Sequence, residues 1–235
     1  MKGSGRAAAS PLLPNTDRVL ALAIAVACVL VTAVQAVWIR HGMETGWADT
    51  TIDTKVLAGL GGHHLLVDVL VWPGEPLPVT AIAAVVVLAC LARRRYGEAA
   101  LVAISVPLAT AITELVVKPV FGQTSWGDPF PSGHVTSAVA LATAVAVLVA
   151  RTPAGRGGAL RLVLAFAVLL VAAAVAVGVI GARMHHFSDT VGGTAVGIGT
   201  VMVTALALDL LGRWRSRQQG RVPGAEPSRQ TRLRR

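Results

Sequence analysis

The chain has 235 residues, of which 54% are hydrophobic and 14% charged, with a formal net charge of +9. Its mean hydropathy is +0.66, whereas a water-soluble domain carries about a quarter of its residues charged. That balance excludes a soluble all-α core, which could not cover its surface with so few charges, and describes a multispanning helical membrane bundle.

Residues 1–18 form a short segment with Lys2, Arg6 and Arg18. The first apolar run, 19–39, is longer than a signal-peptide core and lacks a convincing cleavage site, so it reads as a retained span. The loop that follows, 41–77, is too long for a simple connection. Periodic apolar residues over 51–70 predict a short interfacial helix with Asp53 as its cap. His63 and His64 follow a Gly-Gly pair and, without a carboxylate at ligand spacing, read as solvated loop residues.

Spans are expected next at 78–92 and 98–117, separated by Arg93, Arg94 and Arg95. The first of these is short and needs helical flanks or tilt to match the bilayer. Glu114 and Lys118 close the second at the spacing and orientation that favour an i,i+4 ion pair. Lys118 is either a snorkelling interfacial lysine or a compact positive charge for an anion.

A polar island, Pro131-Ser132-Gly133-His134, precedes a span at 135–150. Pro131 and Ser132 suit a helix start. Free amides at that start also bind phosphate oxygens, Gly133 lets the backbone approach an anion, and His134 can protonate a leaving oxygen. After a span at 159–182 comes the second island, Arg183-Met184-His185-His186-Phe187-Ser188-Asp189. Four positions separate His185 from Asp189. On a helical or tightly turned path the carboxylate fixes one imidazole nitrogen and leaves the other for nucleophilic attack. The alternative is that Ser188 or Asp189 merely caps the last span, 190–211. Small residues from Gly192 to Gly197 permit close helix approach there, without indicating a partner.

Two spans lie between the islands, so both face one compartment. With the N-terminus inside, 17 of the 21 basic residues fall on the cytoplasmic side. The positive-inside rule then puts both termini in the cytoplasm and both islands on the extracytoplasmic face of the cell membrane. The pI near 11.2 reflects membrane-flanking arginines attracted to anionic lipid headgroups, and no nucleic-acid partner is expected. Cys28 and Cys90 fall within spans, read as packed thiols and offer no metal spacing. The expected organisation is an N-terminal cytoplasmic segment, 1–18, an all-α six-span domain, 19–212, and a basic, disordered cytoplasmic tail, 213–235.

Lys118, Pro-Ser-Gly-His at 131–134 and His-x-x-x-Asp at 185–189 together resemble the three-part signature of the type-2 phosphatidic acid phosphatase superfamily of membrane lipid phosphate phosphatases. The resemblance extends over about 19–211. It implies that His185 attacks phosphorus to give a phosphohistidine, that Asp189 orients it, and that His134 protonates the leaving group. Lys118, Ser132 and the Gly133 amide would hold the phosphoryl oxygens, with no metal or other cofactor. Glu114, Gln123 and His186 are candidate supporting residues from their positions beside these. Two arginines of the family pattern are missing: Ser125 follows Lys118 where one is usual, and Val179 precedes His185 where another is. Arg183, one helical turn beyond Val179, is expected to supply charge from the same face. His186 adjoins His185, but the His-x-x-x-Asp spacing favours His185. The implied substrate is a lipid phosphomonoester or pyrophosphate, such as polyprenyl pyrophosphate, phosphatidate or phosphatidylglycerol phosphate. A catalytically weak or inactive protein that binds or transports such a lipid is the alternative, because lysine and glutamine do not reproduce the arginine fork. The oligomeric state is not set by the sequence.

Overall fold

The structure is a computed structural model and describes residues 12–13, 15–40, 46–121, 130–151 and 158–219. Among them every regular element is helical. In chain order these are α1 (Asn15–Arg40), α2 (Trp47–Leu60), α3 (His64–Val71), α4 (Pro76–Ala92), α5 (Tyr96–Ile112), α6 (Lys118–Phe121), α7 (Gly133–Ala150), α8 (Gly158–Gly181) and α9 (Phe187–Gln219). Five stretches are long and apolar enough to cross a membrane, with a sixth if α3 and α4 form one broken span. The protein is an all-α, multi-pass membrane bundle.

The breaks have local causes. A 3₁₀ turn, Trp72–Gly74, joins α3 to α4, and the two helices bend by 44°. Pro73 and Pro76 each lack an amide at this joint, so a continuous helical hydrogen-bond ladder cannot form. The α5 run contains Pro107 and then widens into a π turn, Thr113–Val117, before α6. Such π turns are frequent at functional sites. Here it delivers Lys118 to the end of the run, while the Thr113 hydroxyl meets that of Thr136 on α7 at 3.2 Å.

Two expectations need correction. The interfacial segment is a pair of helices, split where Gly62 adopts φ +81°, and its first helix starts at Trp47 rather than Asp53. Asp49 does the reaching back, accepting from the Gly46 amide at 3.2 Å, whereas Asp53 lies inside α2 and is buried. The last span, in turn, does not end before Arg213. It runs helically to Gln219, because no glycine or proline interrupts the polar residues between Arg213 and Gly220. Residues 220–235 of the expected tail lie outside the described residues.

Helix α7 occupies the centre, buried along most of its length and packed against α5, α8 and α9. The small-residue surface of α9 meets α7. A Cβ on Gly193 would stand 2.6 Å from the Ser132 carbonyl oxygen, and one on Gly197 would stand 2.8 Å from that of Thr136. Backbones this close leave no room for larger residues. At the opposite end of the bundle, Asp209 of α9 binds the amides of Leu12 and Leu13 and pairs with Arg18 at 3.0 Å. Glu98 lies between Arg95 and Arg151, at 2.6 and 3.5 Å.

Candidate active site

The two islands meet. Ser132 precedes the first residue of α7, accepts from the Val135 amide at 3.5 Å and donates its own amide to the Asp189 carbonyl at 3.1 Å. The parity of spans allowed this contact; the close α7–α9 packing brings it about. Gly133 then opens the helix beside Lys118 and Glu114. A Cβ at Gly133 would sit 2.4 Å from Glu114 Oε1 and 3.6 Å from Lys118 Nζ. Glu114 and Lys118 are themselves paired at 2.7 Å.

The second island begins where α8 stops. The Met184 amide reaches the Val179 carbonyl at 3.0 Å and the Arg183 amide that of Ile180 at 2.9 Å. This is a Schellman ending, and Arg183 takes the left-handed position with φ +58°. The helix has therefore ended before Arg183, which does not continue the face of buried Val179. Arg183 is exposed and does not line the cavity described below. The turn instead sends His185 inward, to 1% exposure. His185 Nδ1 lies 3.5 Å from Asp189 Oδ2, and the same carboxylate oxygen accepts the His186 amide at 3.0 Å. His186 is held elsewhere, with Nδ1 2.8 Å from Asp53 Oδ2.

Lys118, Gly133, His134, His185 and Glu114 line one end of a cavity of about 940 Å³. Its remainder runs between α4 and α5 past Val79, Ala83, Val87, Ala103 and Val106. Asp189, Ser132 and His186 are buried and absent from this lining. Asp189 and Ser132 thus stand behind the residues that face the cavity. Gln123 lies outside the described residues, as do Ser125 and Trp126. His63 and His64 are exposed at the start of α3.

Three carboxylates at the site escaped sequence reasoning. Glu75 Oε1 stands 3.4 Å from His134 Nε2, brought there because Gly74 packs against the His134 backbone. Asp49 Oδ1 accepts the Ser188 amide at 2.7 Å, and Asp53 Oδ1 accepts that of Phe187 at 3.1 Å. Burial pushes the Asp53 carboxyl above its ordinary value, opposed by its hydrogen bonds from His186 and Phe187. The i,i+4 spacing of Asp49 and Asp53 was the available signal: it puts two acids on one face of a helix, a pattern that calls for a partner.

Chemically, the cavity joins a cation and an opened helix terminus to two histidines, with a carboxylate behind one of them. It is an anion site with a candidate nucleophile and a candidate proton donor, continuous with an apolar groove. Residues 117–213 match the family model of the PAP2 superfamily. This stretch takes in Lys118 and both islands, and leaves α2, α3 and α4 outside. No curated protein and no solved structure matches the chain.

Proposed function

We propose that this chain, whose residues 117–213 match the PAP2 superfamily model, is an integral-membrane phosphatase that hydrolyses a phosphomonoester or pyrophosphate of a lipid. One observation carries the reading: a single cavity holds Lys118, Gly133, His134 and His185 at one end and apolar walls of α4 and α5 along the rest. A phosphate at the polar end gains the Lys118 ammonium and the start of α7. A hydrocarbon chain on the same molecule suits the apolar groove, which follows α4 from Pro76 to Val87, roughly 16 Å at the helical rise.

In this reading Asp189 holds Nδ1 of His185, leaving Nε2 to attack phosphorus. The P–O bond to the lipid breaks as the P–N bond forms, and His134 gives its proton to the departing oxygen. Water, deprotonated by the now neutral His134, then attacks the phosphohistidine and releases inorganic phosphate and free His185. With a pyrophosphate, the departing group is the lipid monophosphate. Lys118 and the Gly133 amide offset charge on the phosphoryl oxygens as it builds up. The positive-inside rule supports an extracytoplasmic site with both termini inside, since Arg18, Arg95 and Arg151 gather at the opposite end of the bundle.

The test is phosphate release from dioctanoyl phosphatidate, phosphatidylglycerol phosphate and farnesyl pyrophosphate in detergent micelles. At least one substrate should turn over, and His185→Ala should fall to background. Wild type no faster than His185→Ala on every substrate would end the hydrolase reading. Lipid-phosphate binding retained by such an inactive wild type would mark a binding or transport protein instead.

A further inference from the structure

Helix α2 lies outside the family match, yet its two buried carboxylates bind the three consecutive residues that follow His185. Asp53 takes the His186 ring at 2.8 Å and the Phe187 amide at 3.1 Å, and Asp49 takes the Ser188 amide at 2.7 Å. Phe187 and Ser188 begin α9, where backbone amides have no partner within the helix. A capping side chain with an oxygen normally satisfies one of them. The residue before Phe187 is His186, which has none, so the acceptors come from another helix.

Both aspartates are only 4% exposed. Burying two carboxylates one helical turn apart is unfavourable unless their hydrogen bonds compensate, and an apolar face would pack α2 on the bundle without that cost. What the acids add is placement. His186 is held at its ring by Asp53 and at its amide by Asp189 Oδ2, the oxygen that also faces His185 Nδ1 at 3.5 Å. Moving His186 moves that oxygen relative to His185. With its Nδ1 engaged, His186 is also kept out of the cavity lining, where His185 stands.

We propose that Asp53 is a positioning residue for the nucleophile: acting through His186, it keeps Asp189 on His185, while Asp49 secures the loop backbone. The inference rests on the hydrolase reading above. Its test compares Asp53→Ala, Asp53→Asn, His186→Phe and the Asp53→Ala/His186→Phe double variant with wild type and His185→Ala, using dioctanoyl phosphatidate and farnesyl pyrophosphate. Asp53→Ala should lower kcat roughly 10- to 100-fold, the effect typical of losing a partner that orients a reacting group, with KM within about threefold. Asp53→Asn, which keeps an acceptor for Phe187, should recover part of the loss. The double variant should be no slower than the worse single one, because both break the same link.

Asp53→Asn and His186→Phe both retaining kcat within about twofold of wild type would overturn the proposal. So would losses that multiply in the double variant, or a change confined to KM. If Asp53→Ala does not fold, as judged by its thermal transition in detergent, Asp53→Asn and His186→Phe decide the matter. Wild type no faster than His185→Ala would overturn the hydrolase reading and this inference with it; active wild type with unaffected Asp53 variants would overturn this inference alone.

Discussion

Arg183 holds a backbone conformation that suits glycine. At φ +58° its Cβ crowds the neighbouring carbonyl, a cost of about 1 kcal/mol that glycine does not incur. The Schellman ending requires that conformation, and the ending in turn swings His185 from the axis of α8 into the bundle. Arg183→Gly should therefore preserve the turn and raise stability by about 1 kcal/mol over Arg183→Ala, measured as thermal unfolding in detergent. Since Arg183 is exposed and outside the cavity lining, we expect both variants to keep kcat within about threefold of wild type. A loss of tenfold or more in both would return Arg183 to the phosphate site. Among the described residues lining the cavity, Lys118 is the one lysine or arginine side chain. Gly133 matters beside it for its lack of a side chain, since a Cβ there would enter the space next to Glu114 and Lys118.

At the scale of elements, the α7–α9 contact aligns the two islands. Gly193 is its tightest point: a Cβ would meet the Ser132 carbonyl at 2.6 Å and the Thr136 hydroxyl at 3.1 Å. The first of these is backbone and cannot swing aside, so Gly193→Ala should push the two helix starts apart. Overpacking of this kind costs about 1–3 kcal/mol, and we expect lower thermal stability together with lost phosphate release. Gly212→Ala on the same helix is the control. It has nothing within 4 Å of the added Cβ and should be neutral, or stabilising by up to about 1 kcal/mol. Unchanged stability and activity in Gly193→Ala would mean that this contact does not align the site. The spans themselves were legible in the sequence because runs of alanine, valine and leucine signal burial in lipid whatever they pack against. The joint at Pro73 and Pro76 was less so, since hydropathy records apolar length and not a break in the helix. Glu75 was illegible as a site residue, because it meets a histidine from a distant part of the chain. The i,i+4 pair Asp49 and Asp53 called for a partner without naming the loop that supplies it. Arg183 was misplaced for a related reason: a helical face was extended past the point where α8 ends.

Over the whole molecule, polar groups form two layers. Asp189 and Asp209 stand twenty residues apart on α9, roughly 30 Å at the helical rise, which is the thickness of a bilayer's hydrocarbon core. One layer holds His134, His185 and His186; the other holds the pairs Arg18–Asp209, Arg95–Glu98 and Arg151–Glu98. The groove between α4 and α5 descends from the first layer toward the second, and this gives a test of substrate length. Ala83, on the groove wall, lies seven residues along α4 from Pro76, or roughly 10 Å down the helix. Ala83→Phe would fill the groove at that depth and leave the polar end untouched. If the chain of the substrate lies there, the variant should lose at least about tenfold in kcat/KM on dipalmitoyl phosphatidate, the equivalent of about 1.4 kcal/mol. Dibutanoyl phosphatidate, whose chains stop short of Ala83, should retain activity within about threefold. Equal losses on both would point to a repacked α4 instead of a blocked groove. No loss on either would place the lipid chain outside the cavity, leaving its apolar walls to face membrane lipid.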